Sequence, residues 1–139
     1  MSAEAFFDTS ILVYAIARGD ARHDISHKLL EAGGILSVQV LNELAAIARR
    51  KLNMSWTDVA KTLSAVRELC GPPVPITLDL HQAALQIAQR YQFHIYDSLI
   101  VAAALDARCT VLYSEDMQDG QAIQSVTVRN PFRAAKRTT

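Results

Sequence analysis

The sequence predicts an α/β domain with three layers, in which helices cover both faces of a central, mainly parallel sheet. Strand-like segments alternate with helical segments along the chain, and strands separated by helices usually pair in parallel beneath those helices. The chain has 139 residues, of which 50% are hydrophobic, and this suffices for one domain with its own core.

Each predicted element rests on hydrophobic spacing and on the residues that begin or end it. The expected order is a strand over 5–8 and a helix after it, a helix over 21–32, a strand over 34–37, a helix from Val40 to Leu52, a helix from Ser55 that ends before Gly71, a strand-like segment over 74–77, helices over 79–91 and 97–107, and strands over 109–113 and 126–128.

Short polar residues and glycines support these boundaries. Thr9 or Ser10 is expected to cap the first helix, and Ser37 and Ser55 are expected to cap the helices that follow them. The pair Gly33–Gly34 is a usual punctuation after a last helical turn. Prolines within 72–75 place the strand-like segment there at an edge of the sheet.

Composition limits the classes of function. The chain has 14 basic and 14 acidic residues, so its total charge gives no indication of a nucleic-acid partner. Cys70 and Cys109 lack CxxC spacing and follow apolar stretches, which favours reduced core thiols over the alternative of a disulfide between them. No signal-like leader is visible, and no apolar run reaches the roughly 18 residues of a membrane span. We therefore expect a cytoplasmic protein without membrane association.

Four acidic residues that lie far apart are the candidates for chemistry: Asp8, Glu43, Asp97 and Asp116. Three of them follow an apolar segment at a helix start or a turn, and such positions line one crevice in an open parallel sheet. Carboxylates gathered there repel one another unless a positive charge lies between them, and a hard divalent cation is the simplest solution. Taken singly, each acid also has a structural explanation as a helix cap, a solvated helix residue or a turn residue.

Four segments that contain these acids resemble the motifs of PIN domains, in order and at suitable spacings. They are Phe7–Tyr14, Val40–Leu44, Tyr96–Ala104 and Leu112–Met117. A single domain of this size looks most like a VapC-type toxin of a toxin–antitoxin pair. The resemblance implies a three-layer α/β/α fold and a ribonuclease that depends on Mg2+ or Mn2+. We expect the PIN-like domain at 1–130, followed by a basic, partly disordered tail at 131–139.

The resemblance also implies roles. Asp8 and Asp97 would be the principal metal ligands, and Glu43 and Asp116 would bind the same or a second ion or orient the attacking water. Ser114 is expected to hydrogen-bond a ligand carboxylate or water, and Glu115 is expected to point elsewhere. Asp119 is a weaker additional candidate for the site.

Partners follow from the same resemblance. They are an RNA substrate, a second copy in a homodimer, and a VapB-type antitoxin whose basic residue enters the acidic pocket. Apolar helix residues are candidates for the antitoxin groove, although core packing explains each equally well: Val40, Leu44, Ile47, Trp56 and Val59.

Other interpretations remain open. The main alternative is a catalytically silent PIN-like module that binds RNA or protein. His23 and His27 have the spacing of a zinc pair, but without further ligands nearby a solvated helix face is preferred. The basic run Arg49–Lys51 is either a solvated helix end or a rim that contacts phosphates.

Overall fold

The structure, a computed structural model, describes residues 5–133, which form four strands and six helices. The elements are β1 (Ala5–Phe7), α1 (Thr9–Ile16), α2 (Ala21–Ala32), α3 (Val38–Arg50), α4 (Trp56–Leu69), α5 (Leu78–Tyr91), α6 (Ile95–Asp106), β2 (Val111–Tyr113), β3 (Ala122–Ile123) and β4 (Val126–Arg129).

The sheet has the strand order β1–β2–β4–β3. Strand β2 pairs in parallel with β1 and with β4, while β3 pairs antiparallel with β4. Phe7 lies opposite Tyr113, so the ends of β1 and β2 meet at the same edge although over a hundred residues separate them. The predicted α/β class with a mainly parallel sheet is confirmed.

Two predicted strands are reduced to isolated bridges. Of the segments 34–37 and 74–77, only Ile35 pairs with Phe6 and Ser37 with Val74. Prolines at 72, 73 and 75 lack the N–H that a longer ladder needs. Conversely, the two-residue strand β3 was not predicted, because two residues carry no periodicity.

Two helix starts also differ from the prediction. The N-cap of α1 is Asp8, whose side chain accepts from the Thr9 N–H, so the capping role expected of Thr9 or Ser10 is wrong. Helix α6 begins at Ile95 behind the N-cap His94, which places Asp97 inside the first turn. The predicted caps Ser37 and Ser55 are confirmed.

The core lies between the sheet and the helices that cover it. Helix α6 is buried almost throughout, which explains its apolar sequence from Leu99 to Ala104. On α3 and α4, Val40, Leu44 and Val59 are buried, so core packing, the other explanation, accounts for these three candidates. Ile47 is half-buried and Trp56 exposed, and for them a partner groove stays a prediction.

Packing continues past residue 130. Phe132 is fully buried and meets the Tyr14 ring edge to face, with 5.2 Å between the ring centroids. Phe132, in the predicted tail, therefore packs against the domain, while 134–139 lie outside the described residues. The division at residue 130 stays a prediction.

Two further expectations concern the thiols and the membrane. Cys109 is buried and Cys70 half-buried, and burial raises the pKa of each thiol to about 11, so both are uncharged near neutral pH. Within residues 5–133, no helix is long and apolar enough to cross a membrane.

Candidate active site

One pocket brings the four predicted acids together. It has a volume of about 240 Å³ and lies where β1 and β2 end, between α1, α3 and the start of α6. This is the edge at which parallel sheets bind ligands. The pocket is lined by Asp8, Thr9, Ser10, Val13, Tyr14, Glu43, Ile47, Lys51, Asp97, Glu115 and Asp116.

Asp8 is the most buried of the four acids, with 4% of its surface exposed. Its Oδ1 accepts from the Thr9 N–H at 2.8 Å, and its Oδ2 accepts from the hydroxyls of Ser114 at 2.7 Å and Ser10 at 3.2 Å. Burial raises the pKa of this carboxyl to about 6, and the charges of Asp97 and Asp116 add to the rise. The hydrogen bonds from Ser114 and Thr9 oppose it.

Two serines hold Asp8, and each of their hydroxyl groups acts both as a hydrogen-bond donor and as an acceptor. Ser10 donates to Asp8 and accepts from the Glu115 N–H at 3.1 Å. Ser114 donates to Asp8 and accepts from the N–H groups of Asp116 at 3.2 Å and Met117 at 3.3 Å. The expected hydrogen bond from Ser114 to a site carboxylate is confirmed, and the serines join the start of α1 to the loop after β2.

Glu43 is oriented from two directions. The Thr9 hydroxyl donates to its Oε1 at 3.1 Å, and the Gln39 amide donates to its Oε2 at 2.8 Å. The explanation of Glu43 as a solvated helix residue is therefore wrong, because the side chain is half-buried and bonded on both oxygens. Gln39 was not among the predicted site residues, although it lies four residues before Glu43 on the same helix face.

Asp97 and Asp116 complete the acidic lining. Asp97 is half-buried, and its pKa is raised by burial, then by Glu43 and more weakly by Asp116, while His94 acts in the opposite direction. Asp116 is exposed at the rim, on the turn that Ser114 stabilises. The alternative that Asp97 is only a helix cap is wrong, since His94 takes that position.

Glu115 also lines the pocket, so the prediction that it lies away from the site is wrong. Its Oε1 accepts from the Tyr14 hydroxyl at 2.8 Å, and its Oε2 lies 3.5 Å from a guanidinium nitrogen of Arg22. That nitrogen also donates to the Tyr14 hydroxyl. Glu115 differs from the four predicted acids because an arginine lies beside its carboxylate. The contacts of Glu115 with Tyr14 and Arg22 were not predicted from the sequence.

The weaker candidate Asp119 and the histidine pair His23 and His27 form structural contacts outside the pocket. Asp119 accepts from the Asn130 N–H and from Arg133, each at 2.8 Å, and these contacts lower its pKa and anchor the end of β4. His23 faces the Tyr14 carbonyl, whereas His27 pairs with Glu31 one turn later. The predicted solvated face is therefore found for the exposed His27, whereas His23 is half-buried against α1.

The donor chemistry of the pocket fits a hard divalent cation. Within residues 5–133, no three histidine, cysteine or carboxylate side chains already stand together as a set that holds a metal ion. The four acids nevertheless share one pocket, and neighbouring carboxylates help to raise the pKa of Asp8 and of Asp97. A cation would offset this concentration of negative charge, and carboxylate oxygens are the ligands that Mg2+ takes.

Comparison with known proteins agrees with this geometry. Residues 5–119 match the PIN domain family. No curated protein matches. Among solved structures, the toxin VapC20 of Mycobacterium tuberculosis, described as cleaving the sarcin–ricin loop, is 22% identical, with a TM-score of 0.67 over 81% of this chain and 89% of its own.

Two structures described as complexes are also similar. The first is a toxin–antitoxin complex from Klebsiella pneumoniae, 22% identical, with a TM-score of 0.69 over 91% of this chain and 97% of the other. The second is VapBC2 of Rickettsia felis bound to a promoter DNA fragment, 17% identical, with a TM-score of 0.66 over 91% and 97%. At these identities the likeness establishes the fold, and the family match over most of the chain settles membership: the chain belongs to the PIN domain family.

Proposed function

We propose that the chain is a metal-dependent ribonuclease that hydrolyses RNA phosphodiester bonds. The observation that carries this is the convergence of Asp8, Glu43, Asp97 and Asp116 in one pocket of a PIN domain. The raised pKa of Asp8 and of Asp97 is consistent with the same function, because burial and, to a lesser extent, neighbouring carboxylates disfavour negative charges that a cation would stabilise.

The four carboxylates would hold the ion. Asp8 and Asp97 are proposed as principal ligands, with Glu43 and Asp116 binding the same or a second ion or orienting the attacking water. When bound, Mg2+ or Mn2+ supplies a Lewis acid for the phosphoryl oxygens and lowers the pKa of water toward neutrality.

The chain itself supplies orientation. Ser10 and Ser114 fix the direction of the Asp8 carboxylate, since their hydroxyls are in turn fixed by backbone N–H groups. The hydrogen bond from Ser114 also favours its ionised form. Thr9 and Gln39 do the same for Glu43. Such supported side chains need little reorganisation when charge develops during reaction.

We further propose that the protein is the toxin of a toxin–antitoxin pair and inhibits translation by cutting RNA. Support comes from the fold shared with VapC20 and with two toxin–antitoxin complexes. A VapB-type antitoxin would hold the enzyme inactive, because an arginine placed among the carboxylates satisfies them through paired hydrogen bonds. A homodimer and a cytoplasmic location belong to the same proposal.

Cleavage of total bacterial RNA by the purified protein tests the nuclease. Asp97→Ala is expected to abolish cleavage in Mg2+ or Mn2+ without a change in circular dichroism. The matched control is Asp106→Ala, which removes an exposed acid at the other end of the same helix and should leave cleavage intact. Full activity of folded Asp97→Ala would refute the assignment, and RNA binding without cleavage by wild type would favour the silent module.

Growth of bacteria that express the chain tests the toxin role separately. Expression alone should slow growth, and expression of the cognate partner should restore it. Normal growth with confirmed soluble, RNA-cleaving protein would remove the toxin role and leave the nuclease standing.

A further inference from the structure

An acidic pocket that cuts RNA has an electrostatic difficulty, because its carboxylates repel the phosphates they must approach. A cation between the carboxylates offsets this at the bond that is cut but not at the neighbouring phosphates. Positive side chains at the rim are the usual solution, since phosphate contacts provide most of the affinity for nucleic acid. Lys51 is the one basic residue among those that line the acidic pocket.

Lys51 belongs to a stripe along α3 and its C-cap. Glu43, Ile47 and Lys51 are spaced four residues apart and all line the pocket. Arg50 follows Glu43 by seven residues, which is nearly two full turns, so it projects from the same side. At a rise of about 1.5 Å per residue, Lys51 lies about 12 Å along the helix axis from Glu43. The stripe therefore leads from the acids to two basic residues.

The charges of Arg50 and Lys51 are available to a ligand. Both side chains are exposed, and neither forms an ion pair with any residue of the described range 5–133. By contrast, Arg22 pairs with Asp20 and Glu115 at another side of the pocket.

Arg49, in the same basic run, contacts Trp56 and Met54 instead of facing the pocket. Its guanidinium lies 4.7 Å from the centroid of the Trp56 ring and donates to the Met54 carbonyl at 2.9 Å. It is six residues after Glu43 and so projects from a different side of α3. Three consecutive basic residues thus have two different environments.

We propose that this stripe of α3 is a substrate track, in which Lys51 and Arg50 bind backbone phosphates of the RNA strand next to the bond that is cut. The proposal rests on the nuclease function and adds the path of the strand, which leaves the acidic pocket along α3 past Ile47. Because the contacts are made to phosphates, they contribute affinity and register without reading base sequence.

The salt dependence of RNA binding tests the track. A fluorescein-labelled single-stranded RNA oligonucleotide is titrated with wild-type protein in EDTA at increasing KCl. For a single strand, each lost phosphate contact lowers the slope of log Kd against log salt by about 0.7. Lys51→Ala and Arg50→Ala should each reduce the slope by that amount, and Lys51→Arg should restore it.

Arg49→Ala is the matched control, because it removes a basic residue from the same helix end but from the side that packs on Trp56. Its slope should equal that of wild type, with thermal melts confirming that every variant is folded. An equal loss of slope in Arg49→Ala and Lys51→Ala would overturn the track in favour of a diffuse basic surface.

Three other results would also overturn the proposal, and they separate it from the nuclease function. An unchanged slope in Lys51→Ala, with RNA cleavage by wild type intact, removes the track and leaves the nuclease. If that variant instead loses affinity only for the protein partner, the stripe belongs to the partner interface. Failure of folded wild-type protein to bind RNA at low salt refutes the track, and cleavage of RNA by wild type in Mg2+ then decides whether the nuclease function stands.

Discussion

Replacing Asp8 by asparagine should make the metal-free protein more stable at pH 8 while abolishing its activity. Asp8 is fully enclosed, and its pKa in the folded protein is about 6, against 3.8 for an unperturbed side chain. The folded state therefore binds this proton more tightly than the unfolded chain does. The contribution of Asp8 to stability is therefore most favourable below about pH 4 and is lost as pH rises from about 4 to about 6.

The size of the effect follows from that shift. At about 1.4 kcal/mol per pKa unit, the ionised carboxylate costs the folded state about 3 kcal/mol above pH 6. Asparagine removes this cost, but its single amide oxygen cannot replace both carboxylate oxygens, so either the bond from the Thr9 N–H or those from Ser10 and Ser114 are lost. Each lost hydrogen bond costs about 0.5–1.5 kcal/mol. With one or two bonds lost, we expect a net gain of up to about 2 kcal/mol at pH 8 and a net loss at pH 4.

Urea denaturation between pH 4 and pH 8 measures this directly. EDTA is present throughout, because a bound divalent ion would stabilise the wild-type protein selectively. The exposed acid Glu68 provides the control: Glu68→Gln should give a difference from wild type that is nearly constant over the same range. The difference for Asp8→Asn should change by about 3 kcal/mol.

The reasoning is refuted if the difference for Asp8→Asn does not vary with pH, or if its advantage appears at pH 4 and disappears at pH 8. Either result would mean that the folded protein does not raise the pKa of Asp8. A stabilising but inactive variant is what a strained functional site predicts.

Three further predictions follow from individual contacts. Ser114→Ala removes the hydrogen bond that lowers the pKa of Asp8. Metal-dependent activity should therefore decrease, and its pH profile should move to higher pH. Ser114→Thr retains the hydroxyl and should restore the activity and the pH profile. Gly34→Ala would place a Cβ 2.5 Å from the buried Phe7 ring, so the free energy of unfolding measured in urea should fall by about 1–3 kcal/mol. The control Gly71→Ala places its Cβ 4.0 Å from Ile35, an ordinary contact, and should be tolerated. Removal of divalent ions by EDTA should stop RNA cleavage without unfolding the chain, and cleavage that persists would refute the metal dependence.

The parts of the fold that the sequence could predict are those with local causes. Most helices showed hydrophobic spacing and a recognisable cap, as Ser37 and Ser55 illustrate. Asp8, Asp97 and Asp116 could be identified because each lies in a local motif near an element boundary, whereas Glu43, inside α3, was identified through the resemblance of its segment to a PIN motif. Their convergence then follows from parallel topology, which brings strand ends to one edge.

What the sequence could not predict depends on contacts between distant segments. The bond from Thr9 to Glu43 spans 34 residues, and that from Tyr14 to Glu115 spans 101. No local pattern contains such a pairing, so the position of Glu115 was predicted wrongly. The start of α6 was also predicted wrongly. Aspartate is a common N-cap and histidine is not, so the helix was predicted to begin at Asp97, although its N-cap is His94.

The most direct test of the central claim is the chemistry of the RNA ends that the protein produces. Purified protein is incubated with RNA in Mg2+, Mn2+ or EDTA, and the product termini are analysed. Attack by water leaves one fragment with a simple phosphate monoester and the other with a hydroxyl, and this should require both the divalent ion and Asp8. Products ending in a 2′,3′-cyclic phosphate, formed equally in EDTA or by Asp8→Ala, would contradict the account.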